Sequence, residues 1–264
     1  MNKLLTWTAI LFVASSAVLQ GQDCIIKESS GKEKKVSQIT VRQNGDLAFV
    51  ESGSSRIQSI IKRGRYVWAW VPKPKEIIAA DELFKAGEYA KAGEAYKSAR
   101  PKYKLVGWDV YCLLKQAESL VKEDKKSDAV KLLSTLENYK LVNPKMEQDL
   151  MESYRLLAST YIDLGETEKA IPVLDKMIAS SDDDIASYAF IKKGDAIAKK
   201  GDKMDAVLAY FQAALLFPKS KERPEALFKS AQMLKELKDA RAEKFVEMLK
   251  KDYPSDPYTK QLQK

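Results

Sequence analysis

The sequence contains no histidine among its 264 residues. Histidine is the commonest general base and the commonest metal ligand in proteins, so triads and metal sites that depend on it are excluded. The cysteines are Cys24 and Cys112 alone. Two thiols without histidine cannot supply the four ligands of a structural zinc site, and they allow at most one disulfide, which the sequence leaves open. These absences favour a protein that is not an enzyme.

Other motifs that carry chemistry are also missing. The sequence has neither a glycine-rich phosphate loop nor a nucleophile elbow. The densest acidic group is Asp182 to Asp184, which lacks the alternating ligands of a calcium loop. It directly precedes Ile185, at a place where acidic side chains cap a helix. We therefore predict no catalytic residues, no cofactor and no bound metal.

The N-terminal segment is typical of a signal peptide. Met1-Asn2-Lys3 gives a short basic start, Leu4 to Val13 is apolar, and Ala14 to Ala17 are small residues of the kind that precede a cleavage site. We predict a signal peptide over residues 1–21, cleaved after Ala17 or Gly21, and a periplasmic or otherwise exported protein. Two alternatives stay open: a retained membrane anchor, and lipid attachment at Cys24.

Residues 22–72 have the pattern of a small antiparallel β domain. Five short segments rich in β-branched and aromatic residues begin near Cys24, Val36, Leu47, Ile57 and Tyr66. Turn residues separate them, and Asn44-Gly45 is a strong hairpin signal because both residues tolerate positive φ. The number and length of the segments resemble those of SH3-like or Sm-like barrels, so we predict such a barrel or a meander.

The predicted β domain is basic. Nine basic and five acidic residues lie between Gln22 and Val71. Lys62, Arg63 and Arg65 lie beside Tyr66, Trp68 and Trp70 in the sequence, which allows two interpretations. The group could bind an anionic polymer or membrane surface, or the aromatic residues could form the core while the basic residues line a turn.

Pro72 and Pro74 mark a boundary, because two prolines interrupt any continuous helix or strand. Residues 73–264 then follow a helical period and contain an internal repeat. Small residues recur at separations of 37, 41, 36 and 37: Ala80, Ala117, Ala158, Gly194 and Ala231. Seven residues after each of these comes a predicted turn position: Gly87, Asp124, Gly165, Gly201 and Lys238. All of these residue types are common in turns except the lysine.

A second small residue completes each unit. An alanine follows the first small residue by twelve positions, or by eleven in the last unit: Ala92, Ala129, Ala170, Ala206 and Ala242. Two helices approach closely where both carry small side chains, so this spacing predicts about five helix-turn-helix repeats that must stack to bury their apolar faces. Prolines are expected to close units at Pro101, Pro144, Pro218 and Pro254.

The repeats resemble tetratricopeptide repeats. The fourth is the clearest, with Gly194, Ile197, Gly201, Ala206, Tyr210 and Pro218, and the third matches nearly as well around Ala158 to Ala170. The resemblance implies a mainly α protein, an α-α superhelix joined to the small β domain. The segments 213–218 and 250–254, each ending in an aromatic-proline pair, more loosely resemble periplasmic repeat proteins of the Tol-Pal system and BamD-type assembly factors.

The family also implies a partner-binding face. Its members usually bind through the first helix of each repeat. By that analogy the candidate residues are Tyr111, Lys115, Glu118, Arg155, Ser159, Tyr188, Lys192, Asp195, Lys199, Phe228 and Gln232. We expect an exported interaction scaffold of the cell envelope that binds a protein or peptide. The alternative is a module that binds peptidoglycan or an anionic membrane surface through the β domain. Nucleic acid is not expected as a partner.

Overall fold

The computed structural model describes residues 23–53 and 58–262. All five predicted strands are present: β1 (Cys24–Glu28), β2 (Glu33–Val41), β3 (Leu47–Glu51), β4 (Gln58–Ile61) and β5 (Tyr66–Trp70). They form one antiparallel sheet in the order β4-β3-β2-β1-β5, in which β1 to β4 follow one another as a meander and β5 pairs with β1. Ile57, which we placed in the fourth strand, lies outside the described residues.

The sheet buries the apolar side chains that alternate along its strands. Ile26, Val36 and Leu47 are completely buried, and Phe49 and Ala69 are nearly so. Gly45 has a positive φ of 82°, which confirms the predicted hairpin turn between β2 and β3.

Ten helices follow in five consecutive pairs, which confirms the predicted repeats. The pairs are α1 (Lys75–Lys85) with α2 (Tyr89–Tyr103), α3 (Asp109–Lys122) with α4 (Lys126–Leu133), α5 (Glu147–Asp163) with α6 (Thr167–Ile178), α7 (Asp183–Lys199) with α8 (Lys203–Leu216), and α9 (Arg223–Glu236) with α10 (Ala242–Asp252). A short α11 (Pro257–Gln261) ends the described chain. Pro218 and Pro254 follow helix ends as predicted, but the prediction for Pro101 was wrong. It lies inside α2, which continues to Tyr103 although the proline lacks the N–H that would bond to the carbonyl four residues earlier.

The five predicted turn positions share one backbone conformation. Gly87, Gly165 and Gly201 have positive φ angles, as glycine readily does. Asp124 and Lys238 adopt the same conformation, with φ of 60° and 57°. Lys238 therefore occupies the turn position despite its side chain, and the repeat geometry outweighs a local cost of about 1–2 kcal/mol.

The turn of the fifth repeat is longer than the others. α10 begins four residues after Lys238, whereas α8 begins two residues after Gly201. Asp239 accepts hydrogen bonds from the backbone N–H of Arg241 at 2.9 Å and from its Nη2 at 2.6 Å. The Arg241 side chain is the main reason why the pKa of Asp239 is lowered to about 2. The ion pair fixes this turn where the alanine of the repeat comes one position early.

The small residues lie where the predicted helix crossings require them. The five first-helix positions and the five second-helix alanines are all buried. Gly194 is the most tightly constrained, because a Cβ atom added to it would come within 2.9 Å of Tyr210 Cζ and closer to two other ring carbons. The ring of Tyr210 thus occupies the space that a side chain at residue 194 would need.

The chain forms two compact units. One contains the described residues up to Cys112 together with Val142–Lys145, and the other contains Leu113–Leu141 and the residues from Met146 onward. The division falls within α3. The predicted domain limits, residues 22–72 and 73–264, stay a prediction.

Candidate partner-binding site

The first helices of the last three repeats carry most of the predicted binding residues. In the second unit α7 contacts both α5 and α9. A cavity of about 410 Å³ opens on these helices. It is lined by Ser159, Ile162 and Asp163 of α5, by Lys192, Asp195, Ala198 and Lys199 of α7, and by Tyr210 of α8. The structure therefore brings together four of the predicted residues: Ser159, Lys192, Asp195 and Lys199.

Asp195 is the centre of a charged network beside the cavity. Its Oδ1 accepts a hydrogen bond from the Tyr210 hydroxyl at 2.9 Å and another from Lys229 Nζ at 2.6 Å. Its Oδ2 lies 3.4 Å from Lys192 Nζ. Glu225 Oε1 lies 3.7 Å from Lys192 Nζ and 3.6 Å from Lys229 Nζ. Two lysines and two carboxylates neutralise one another, which fixes their side chains in place.

The network sets the ionisation of its members. Burial opposes the charged form of Lys192, but Asp195 and Glu225 outweigh it and raise the pKa of that ammonium group. Burial is the main cause that raises the pKa of the Tyr210 hydroxyl, and Asp195 raises it further. Lys192 therefore stays charged and Tyr210 stays a hydrogen-bond donor at neutral pH.

Two further cations of this face, Lys199 and Arg155, have other partners. Lys199 Nζ donates a hydrogen bond to the Ile162 carbonyl at 3.1 Å, and within the described chain it makes no ion pair. The guanidinium of Arg155 lies 4.0 Å from the ring centroid of Tyr188. Arg155 Nε is buried, makes no hydrogen bond with the described residues, and lies 3.7 Å from Glu152 Oε2.

Comparison with known proteins decides the fold of the helical repeats. No family model matches the sequence, and no curated protein sequence matches it. Solved structures do match, among them apo RapI, MamA and YrrB. Apo RapI matches with a TM-score of 0.54 at 15% identity, covering 66% of this chain and 68% of RapI. MamA from Desulfovibrio magneticus RS-1 matches with a TM-score of 0.52 at 15% identity, covering 70% and 99%. YrrB, described as a TPR protein with an unusual peptide-binding site, matches with a TM-score of 0.50 at 14% identity, covering 71% and 90%. The helical region has the tetratricopeptide-repeat fold.

The remaining predicted residues are placed differently on this tetratricopeptide-repeat fold. Lys115 and Glu118 of α3 form an ion pair at 2.6 Å and do not line the cavity. Tyr111 belongs to the first compact unit. Phe228 is buried, with its ring centroid 5.3 Å from that of Tyr258, so it contributes to the core and offers little surface to a partner. Gln232 is exposed.

The side-chain arrangement around Asp195 recurs in the first compact unit around Asp81. Asp81 Oδ1 accepts hydrogen bonds from the hydroxyls of Tyr96 and Tyr111, each at 2.7 Å. Lys73 Nζ lies 2.8 Å from Asp81 Oδ2 and 4.1 Å from the ring centroid of Tyr111. Asp81 and Tyr96 are fifteen residues apart, like Asp195 and Tyr210. Both aspartates directly follow the small residue at the helix crossing.

Sequence reasoning missed Tyr210 and Lys229 as members of the site. It treated Tyr210 only as a large apolar residue of the repeat, although its hydroxyl reaches Asp195. Two signals were available. In two repeats an Asp directly after the small residue is followed fifteen residues later by Tyr, and Lys115, Lys192 and Lys229 all lie two residues before the small residue of their repeat.

The β sheet contains a second charged feature, where the β2–β3 turn meets the β4–β5 turn. The backbone N–H of Arg63 donates to Asp46 Oδ1 at 2.9 Å, and the Tyr66 hydroxyl donates to the Gly45 carbonyl at 2.7 Å. The Arg63 N–H is the main cause that lowers the pKa of Asp46. These contacts gather four exposed cations, none of which forms an ion pair with a described residue: Arg42, Lys62, Arg63 and Arg65. We call them the basic turn cluster.

The described residues test the expected helix cap at Asp182 and the disulfide that the sequence left open. Asp182 accepts hydrogen bonds from the backbone N–H groups of Asp184 and Ile185, which confirms its capping role. Cys24 and Cys112 are buried and do not form the disulfide that the sequence left open. Burial raises the pKa of the Cys24 thiol to about 11. Within residues 23–53 and 58–262 no cluster of metal-ligating side chains occurs, and no helix there is long and apolar enough to cross a membrane.

Proposed function

We propose that the protein is a non-enzymatic interaction scaffold of the cell envelope that binds an acidic peptide segment of a partner protein. The segment lies along the face of α5, α7 and α9. The repeat fold supports this proposal, as does the peptide-binding site of YrrB, which shares that fold. The short apolar segment near the N-terminus and the loose resemblance to envelope repeat proteins support export.

The charges around the cavity favour an acidic partner. Asp163 is paired with Lys126 at 3.0 Å, and Asp195 is paired with Lys192 and Lys229. Among the cations that line the cavity, the charge left for a ligand is therefore that of Lys199, which makes no ion pair within the described chain. Arg155 lies outside the lining and has Glu152 Oε2 at 3.7 Å. A carboxylate of the ligand would give Lys199 Nζ the ion pair that the described residues do not supply. The place of Lys199 in the cavity lining is the observation that carries the proposal.

Replacing Lys199 with glutamine should weaken selection for acidic peptides. We expect the full chain to enrich sequences rich in Asp and Glu from a random peptide library. The substitution should weaken binding of an enriched peptide about tenfold, because a hydrogen bond to a charged group contributes about 1.5 kcal/mol. Isothermal titration calorimetry measures the effect.

Lys200→Gln is the matched control, because Lys200 is the next residue along the chain but pairs with Glu168 and does not line the cavity. Its affinity should equal that of the unchanged protein. Enrichment of neutral or basic peptides, or equal binding by the Lys199→Gln variant, would refute the acidic partner. Export is tested separately by the intact mass of the chain from an envelope fraction, which should begin at residue 18 or 22. A chain that retains residue 1 and stays in the cytosol would exclude it.

A second candidate function rests on the basic turn cluster. Four exposed cations lie in or beside the β2–β3 and β4–β5 turns, and the Asp46 carboxylate there is already engaged by the Arg63 N–H. Such a concentration of charge could attract peptidoglycan or an anionic membrane surface. The sheet would then hold the protein at an anionic surface while the repeats bind the partner.

Changing Lys62, Arg63 and Arg65 together to glutamine should release the full chain from isolated peptidoglycan. We expect at least a tenfold loss in a sedimentation assay at low salt, and a smaller loss as ionic strength rises and screens the charges. A control that changes Lys32, Lys97 and Lys131 removes the same charge elsewhere. Equal loss in both variants would point to net charge alone, and no loss in either would exclude the candidate.

A further inference from the structure

The outer side of α8 carries an exposed apolar stripe. Met204, Leu208 and Leu215 are each more than half exposed. At 100° per residue they lie within about 40° of one another on the helix surface. Phe211 adjoins them and stacks on Phe245, with 4.4 Å between ring centroids, so the stripe rests on a firmly packed side chain. We call these four residues the α8 stripe.

The other repeats show that this stripe is not a requirement of the fold. Leu208 lies two positions after the second-helix alanine, and the exposed residues there in the other repeats are Glu94, Lys131, Pro172 and Lys244. Leu215 corresponds to Pro101, Asn138, Ala179 and Lys251, and Met204 corresponds to Ala90, Ser127, Glu168 and Ala240. Large apolar side chains occupy this outer position in the fourth repeat alone. A cluster of exposed leucines is costly in water, so we expect it to be covered.

Charges at the two ends of the stripe indicate what covers it. Asp205 lies at the N-terminal end of α8 and Lys219 lies just beyond its C-terminal end. Both are exposed, and neither forms an ion pair with a residue in the described part of the chain. An antiparallel copy of α8, related by a two-fold axis near Phe211 and Gln212, would place Leu208 on Leu215. The same axis would bring Asp205 of one copy beside Lys219 of the other.

We propose that the α8 stripe is a self-association surface that pairs with a second copy of this chain in antiparallel orientation. The stripe is self-complementary in both apolar pattern and charge, which is the requirement for a closed two-fold interface. Four side chains per copy form only the centre of an interface of standard size, so the dimer is a weak one, with a dissociation constant on the order of 10 µM.

Sedimentation velocity of the full chain over a concentration series tests the proposal. The unchanged protein shifts from monomer to dimer as concentration rises. Leu208→Gln with Leu215→Gln weakens the dimer at least ~100-fold, because each leucine is buried twice in a symmetric interface. The matched control changes the equivalent α10 positions, Lys244→Gln with Lys251→Gln, and leaves the dimer unchanged.

A charge exchange distinguishes this pairing from nonspecific apolar contact. Asp205→Lys alone weakens the dimer about tenfold, since it places like charges together at two symmetric positions. Adding Lys219→Asp restores the affinity to within about threefold. A chain that stays monomeric at every concentration would overturn the proposal. So would a dimer insensitive to the leucine substitutions, or a monomer whose stripe binds phosphatidylcholine vesicles instead.

Discussion

Gly194→Ala should lower the free energy of unfolding by about 2 kcal/mol, although alanine normally favours a helix. The helix propensity of alanine over glycine contributes about 1 kcal/mol in favour of the variant. Against this, the new Cβ would come within 2.9 Å of the Tyr210 ring, which is buried and held by Asp195. Forcing an extra methyl group into a tightly packed crossing costs about 3 kcal/mol, so the packing term prevails. Urea denaturation measures the difference.

A double-mutant cycle shows whether the Tyr210 ring is the cause. Leucine stands at the position of Tyr210 in the second and third repeats, where the small residue is already alanine. In the background Tyr210→Leu, the Gly194→Ala change should therefore cost nothing or stabilise the protein. An equal loss of stability in both backgrounds would mean that the clash with Tyr210 does not determine the effect.

Asp81→Ala should destabilise the protein by about 2–3 kcal/mol, because three hydrogen-bond donors share the Asp81 carboxylate as their acceptor. Lys73, Tyr96 and Tyr111 would lose the carboxylate to which they bind, and Lys73 would be left as a half-buried cation beside two aromatic rings. Glu82→Ala is the control, since Glu82 is exposed and its one ion pair with a described residue is to Lys85, and it should cost under about 0.5 kcal/mol. Thermal and urea denaturation measure both variants.

The effect of Asp81 should depend on pH in a defined direction. Burial opposes ionisation of this carboxyl, but its hydrogen bonds from Lys73, Tyr96 and Tyr111 prevail and lower the pKa of Asp81 below that of the unfolded chain. A lowered folded-state pKa contributes stability that is complete above the unfolded value near 4 and is lost as pH falls through the folded value. The gap between the unchanged protein and Asp81→Ala should thus be constant near neutral pH and shrink below about pH 4. A gap that widened in acid would contradict this account.

Much of the helical fold follows from local rules that leave a trace in the sequence. Small residues about 37 positions apart located the helix crossings, and a turn position seven residues later located the ends of the first helices. The register was strong enough to place Lys238 correctly, although lysine by itself does not favour positive φ. The five strands were equally visible, because β-branched segments alternate with turn residues such as Asn44 and Gly45.

The candidate site was only partly visible, because tertiary contacts determine it. The analogy with tetratricopeptide repeats predicted that Ser159, Lys192, Asp195 and Lys199 belong to the partner-binding face. It could not show that Asp195 shares its carboxylate with Tyr210 and Lys229, since both contacts come from other helices. Phe228 and Arg155 each lie three residues before the small residue of their repeat. Phe228 is nevertheless buried against Tyr258, whereas Arg155 lies over the ring of Tyr188. What covers a position decides its role, and the helical period alone does not contain that information.

The Asp239–Arg241 turn shows where the repeats can absorb a change in length. The alanine of the fifth repeat comes one residue early, which within a continuous helix would rotate every later side chain by about 100°. The difference falls in the turn instead, and α10 still buries Ala242, Phe245 and Val246. Turns between paired helices are therefore the places where residues can be gained or lost without changing which face of the second helix is buried. Affinity tags and fluorescent labels inserted beside Arg241 should disturb the protein less than insertions inside any helix.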